Sequence, residues 1–253
     1  WLYRGLREWR VIHRWAAGVS KSDPMVDRSA VCVPLPAEEM SAALAQEEDE
    51  RLTIDRHSFG RTEAQVELQP ALADRAVVAR PEHPLHVPPG ETVTLYLSTP
   101  VWVRIGMPES ERDVQEIPSY RMSDTWFGTS TVRGELCYAT RTAGRMRLES
   151  VPLRRHRALT PVTVENMAEE ALLLERVQLP MPHLALYATA EDALWTQAVE
   201  MTRAVGDEGA EIDIREGAPV EAEGADLIQE PRETTRRNLF TSTFSAVEAL
   251  FGS

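Results

Sequence analysis

The sequence predicts a mainly β protein: an antiparallel β-sandwich, as one large or two small bodies, closed by a C-terminal amphipathic helix. Three observations carry this. About ten short apolar segments between residues 52 and 205 are bounded by turn residues, the signature of stacked antiparallel strands. Seventeen prolines fit strand stops and blunted sheet edges. Few stretches have the composition of a helix.

The chain opens with an alternating segment in which Trp9, Val11, His13 and Trp15 share one face and Arg10, Ile12 and Arg14 the other. Period two with tryptophan reads as a strand. Ala30 to Leu35 reads as a short strand stopped by Pro34 and Pro36, and residues 37–50, rich in Ala, Glu and Gln, as an exposed helix. Strands follow over 64–68, 76–79, 92–97, 102–105, 134–140, 145–151, 162–165, 172–179, 184–188 and 194–202. Pro88-Pro89-Gly90-Glu91 is a turn, because proline presets the bend and glycine permits a positive φ. Asn166 suits a turn that would pair 162–166 with 172–177 as a hairpin. The expected organisation is a sandwich body over 1–205, with a subdivision near 106–118 left open, an acidic linker over 206–231, and a C-terminal helix over 232–253. In that helix, capped by Asn238, Phe240, Phe244, Val247 and Phe251 fall on one apolar stripe. So short a helix is marginal alone, so the stripe needs a surface: its own sheet, a second subunit or a foreign partner.

Forty acidic residues against 27 basic give a net charge of −13. An acidic surface repels nucleic-acid phosphates, so no nucleic acid is expected as a partner. The acidity is local. Residues 38–50 carry six acids and no base, and residues 207–230 carry nine acids and one base. Elsewhere 25 acids face 26 bases. Apolar runs are only a few residues long, so no membrane-spanning helix is expected. The two cysteines, Cys32 and Cys137, and the lack of a secretory leader point to the cytoplasm.

Motifs with known chemistry are absent. His83-Pro-Leu-His86 has the residues of a metal site but no helix to align them, and neither metal nor cofactor is expected. Gly128 to Gly134 lacks the lysine and following helix of a phosphate loop, and no nucleophile elbow occurs. Cys137 lies among strand residues, as a buried inert thiol would. No catalytic residue can be named. Two groups stand out as binding candidates. Asp124, Trp126 and Phe127 with Glu135 would suit a ligand shelf, or a core corner with Trp126 plugging the sandwich. Arg145, Arg147, Arg154, Arg155 and Arg157 would suit an anion or partner contact, or a solvated face paired with the acidic segments.

Residues 73–81 (ADRAVVARP), 98–105 (STPVWVRI), 123–128 (SDTWFG), 134–139 (GELCYA), 157–162 (RALTPV), 184–187 and 194–196 together resemble a prokaryotic family known as a domain of unknown function. That resemblance implies a soluble accessory role beside mechanosensitive-type membrane channels and transfers no functional residue. The expected function is therefore a soluble binding or regulatory module. It would recognise a protein partner, such as the cytoplasmic part of a membrane channel, or self-associate through the C-terminal stripe. The alternative is a protein or enzyme that binds a carbohydrate or an anionic metabolite near Asp124, Trp126 and Glu135.

Overall fold

In a computed structural model of the chain, residues 2–14, 52–63, 65–128, 132, 134–204, 210–234 and 239–241 are described. Strand accounts for 55% of the described residues and helix for 7%, so the mainly β expectation holds. Every helical element among the described residues is a single 3-10 turn. The strands are β1 (Leu2–Arg4), β2 (Glu8–Arg14), β3 (Leu52–Ser58), β4 (Glu67–Ala71), β5 (Val77–Pro81), β6 (Leu85–Val87), β7 (Thr92–Pro100), β8 (Trp102–Met107), β9 (Arg112–Pro118), β10 (Ser123–Phe127) and β11 (Glu135–Gly144). There follow β12 (Arg157–Asn166), β13 (Leu172–Leu174), β14 (Val177–Leu179), β15 (Leu186–Ala188), β16 (Leu194–Thr196), β17 (Val199–Arg203), β18 (Ala210–Ile214), β19 (Asp226–Gln229) and β20 (Leu239–Thr241). No described helix is long and apolar enough to cross a membrane.

The chain forms two compact units. One comprises the described residues up to 68 together with 104–116, the other the described residues of 69–103 and those from 117 onward. In the first, β1, β2 and β3 form an antiparallel sheet in that order. Its alternation is that expected at Trp9 and Val11, both buried; Ile12 on the opposite face is buried too, so both faces of β2 are covered. Trp9 meets Phe59 edge to face, ring centroids 5.7 Å apart. Arg104 and Glu116 close an ion pair at 2.9 Å.

In the second unit a four-stranded sheet, order β10-β11-β5-β14, packs against a larger sheet centred on β12. Val77, Ala79, Val177 and Leu179 from the first meet Leu95, Leu97, Val162, Val164, Val199 and Met201 from the second in one continuous core. Each large apolar side chain buried there contributes about 1.5–3 kcal/mol, and these residues recur at every second position of their strands. The sheets are mixed rather than wholly antiparallel: β11 runs parallel to β5, and β12 parallel to β16 and β17. Pro161, in the middle of β12, marks a change of partner. Proline has no N–H to give a ladder, and it falls where β12 changes partner from β16, at Leu159, to β17, at Val162.

Several expected elements differ. The 162–166/172–177 hairpin is not formed: β12 pairs with β7, and β13 with β6. Asn166 does shape the turn, its side-chain amide donating to the carbonyls of Val87 and Glu170 at 2.8 Å each. Residues 145–151 form a 3-10 turn at Leu148–Ser150 rather than a strand. The acidic stretch read as a linker contributes β18 and β19, with Ala210, Ile212, Ala222 and Gln229 buried. Its acids alternate with apolar residues along β18, where Glu211 and Asp213 face outward. The C-terminal helix is not evident. Leu239–Thr241, including Phe240, form β20 on the edge of β18, and Phe244, Val247 and Phe251 lie outside the described residues. The helix expected over 37–50 and the strand over 30–35 also lie outside them.

Candidate functional site

The four-stranded sheet has one end where β11 and β5 begin and β14 finishes. There the chain enters β5 through Asp74 and Arg75, and leaves β14 through Pro180 into the 3-10 turn Met181–His183. A pocket of about 290 Å³ opens at this end, lined by Asp74, Arg75, Glu135, Gln178, His183 and Glu233 among others.

Register places these side chains. Phe127 faces Glu135 across β10/β11, Ala139 pairs with Val78, and Val78 with Gln178. Glu135, Cys137, Phe127, Val78 and Gln178 therefore share the outer face, while Asp124, Trp126, Leu136 and Tyr138 share the inner one. On the outer face the Gln178 amide donates to the Glu135 carboxylate and lies 3.5 Å from Cys137 Sγ. Burial holds the Glu135 carboxyl above its ordinary range; His183 and a hydrogen bond from Cys137 oppose the shift, and Glu233 adds to it. Burial also pushes the Cys137 thiol up to about 11, which fits the inert thiol expected from sequence.

On the inner side, Tyr138 Oη donates to Asp74 Oδ1 at 3.0 Å, and the Arg75 guanidinium lies 4.4 Å over the Tyr138 ring. Arg75 Nη1 donates to Asp124 Oδ1 at 3.3 Å. The third wall is a strap from the C-terminal part of the chain. Glu233 donates its backbone N–H to Pro182 O at 2.9 Å, and its carboxylate sits 3.7 Å from His183 Nε2. Arg232 Nη2 donates to Leu72 O at 2.6 Å, and Gln229 Oε1 accepts the Leu72 N–H at 2.7 Å.

Of the four shelf residues, Glu135 lines the pocket and Asp124 is tied to it through Arg75. Trp126 is 43% exposed beside Leu136, its cross-strand partner, and does not plug the sandwich. Phe127 is 1% exposed beneath the Arg176 guanidinium, so it is a core residue rather than a ligand contact. Alternation along β10 puts consecutive aromatics on opposite faces, which splits the shelf.

The arginine group does not converge. Arg145 donates to Ser150 O within its own turn at 2.6 Å, Arg147 is exposed near Glu149, and Arg155 is exposed near Asp192. Arg154 is half-buried. Arg157 is buried, donating to Ser98 Oγ at 2.8 Å and to the Ser98 carbonyl, and burial lowers its guanidinium to about 10. It is thus unavailable as a surface contact. His83 and His86 are both exposed, and no group of three metal-ligating side chains occurs among the described residues.

Asp74, Arg75, Gln178, His183 and Glu233 were not singled out from the sequence. They are separated by up to 159 positions and share no spacing, so only the run 73–81 entering β5 gave any signal. No curated protein and no solved structure matches the chain. A family model does match it, over residues 2–248, and the chain therefore belongs to the family described as protein of unknown function DUF432.

Proposed function

We propose that this protein is a binding module that holds a small polar molecule in the pocket at the end of the four-stranded sheet. The observation that carries this reading is convergence. Charged and polar side chains from five separate stretches meet at one cavity, and one of them, Glu135, is pushed from its ordinary ionisation by burial. Placing the Glu135 carboxyl where it is partly desolvated and faces Glu233 opposes folding. A perturbed carboxyl in a cleft is a functional-site candidate. The test is a thermal-shift screen of a metabolite library against the full chain and Leu136→Trp, which fills the pocket wall at a half-exposed position. A true ligand at saturating concentration stabilises the native chain by about 2.7 kcal/mol at 100 times its Kd and leaves the variant unmoved. Equal shifts in both proteins, or none in either, would end this reading.

A second reading, recognition of a protein partner, has its own observation. Trp126 and Leu136, cross-strand partners on an edge hairpin, are 43% and 50% exposed. Apolar neighbours at a sheet edge favour docking of another chain, whether a second copy or the soluble part of a membrane channel. Light scattering as a function of concentration, on the native chain and Trp126→Ser, tests the second-copy form. Assembly lost in the variant supports it, and a monomer in both rejects it.

A further inference from the structure

The pocket's chemistry narrows the class of ligand, an inference that rests on the small-molecule reading above. We infer that the pocket takes a neutral polyhydroxylated molecule, of the size of a monosaccharide or cyclitol, rather than an anion, an amine or an apolar compound. The volume of about 290 Å³ has room for one such ring and little more.

The lining offers both hydrogen-bond senses. Asp74, Glu135 and Glu233 supply acceptors, and Arg75, Gln178 and His183 carry donors. One of the five Arg75 N–H donors reaches Asp124, and stacking on Tyr138 holds the guanidinium plane in place. Leu136, Pro180 and Pro182 add apolar wall, against which the C–H faces of a ring can rest.

Each competing class fails on one part of this lining. An anion would gain Arg75 but meet three carboxylates, one of which, Glu135, already feels the charge of Glu233. An apolar ligand would strip water from six polar groups and give nothing back. An organic cation would satisfy the carboxylates and leave the Arg75 guanidinium facing like charge. Hydroxyl groups alone donate and accept at once, so a polyol can satisfy Asp74 and Arg75, neighbours in the chain with opposite needs.

Ligand-observed NMR on the full chain, with calorimetry on any hit, tests the assignment. The neutral probes are D-glucose, D-galactose, D-mannose, D-xylose and myo-inositol; the charged ones are D-gluconate, glucose 6-phosphate and D-glucosamine. The expected result is binding of at least one neutral probe with a Kd below about 5 mM, with the anionic probes at least about tenfold weaker. Glu135→Ala and Glu233→Ala should weaken it about tenfold and less than tenfold respectively, while melting cooperatively. Leu136→Trp should abolish it. If gluconate, the phosphate or glucosamine binds tightest and Leu136→Trp abolishes that binding, the polyol assignment is overturned and the pocket reading stands. If no probe binds, the polyol assignment falls, and the library screen above then decides the pocket itself. Binding that survives Leu136→Trp overturns both.

Discussion

The segment 145–157 and the pocket end of the four-stranded sheet handle charge in opposite ways. The first holds the densest run of arginines in the chain, yet its turns send them apart: one to its own loop, two to exposed acids, one into the core. The second draws its charges from positions 74 to 233 and brings them to a single cavity. The contrast teaches that charge density along a chain says little about charge density in space. A 3-10 turn rotates successive side chains away from each other, whereas strands that begin or end at one sheet edge must deliver their flanking residues to the same place.

The sharpest way to break this comparison is at Arg157. If it is a structural anchor for Ser98 and Thr140 rather than a binding arginine, Arg157→Ala leaves buried acceptors without a donor. It should cost about 2–4 kcal/mol in chemical denaturation. Arg147→Ala and Arg155→Ala, whose ion pairs are exposed, should each stay within about 0.5 kcal/mol. Three similar values would mean that the segment acts as one surface after all.

A smaller effect is expected at Gly134, where β11 is entered beside the pocket. A Cβ there would sit 2.5 Å from Phe127 O and 2.7 Å from Trp126 Nε1, closer than packing allows. Gly134→Ala should cost about 1–3 kcal/mol through overpacking and shift the tryptophan emission as the indole moves. Unchanged stability and emission would show that the close approach at Gly134 does not hold the pocket wall.

Smaller again is the pH dependence at Glu135. Its carboxyl is raised in the fold, so the folded chain keeps the proton to higher pH than the unfolded one, whose ordinary value is 4.5. Its contribution is therefore most favourable at low pH and is lost as pH rises through the folded value. Glu135→Gln should remove that loss, so the melting temperature of the variant relative to the native chain should increase from about pH 4 to about pH 7. A difference that stays constant over this range would show that Glu135 is not desolvated.

The least perturbing test is native alkylation. Cys137 is buried and its thiol is pushed up to about 11, so peptide mapping should find it unmodified at neutral pH until the chain is denatured. Rapid labelling in the native state would mean that the Glu135–Gln178–Cys137 face opens readily.

Much of the fold was legible because strand periodicity is local. The segments at 76–79, 92–97, 102–105 and 134–140 became β5, β7, β8 and β11, since alternation and bounding turns report a half-buried strand directly. Hairpin pairing of 162–166 with 172–177 was not legible, because neighbours in sequence are only the commonest partners, and β12 is buried enough to take three other strands. The acidic stretch 207–230 misled for a related reason. High charge suggested solvent on all sides, whereas β18 needs only every second side chain to be apolar in order to dock.

By itself, the sequence determined that this chain is mainly β, with strands in about the right places and no described helix able to span a membrane. Turn chemistry and period-two patterning act between residues a few positions apart, and they survive in a one-dimensional reading. Only the tertiary structure decided which residues form the pocket. Glu135 was visible as a candidate, but its meeting with Asp74, Arg75, Gln178, His183 and Glu233 depends on β11 lying parallel to β5, on β14 running antiparallel beside it, and on a strap from beyond β19. Strand order is set by how whole faces bury against one another, a property of the assembled sheets that no local pattern encodes.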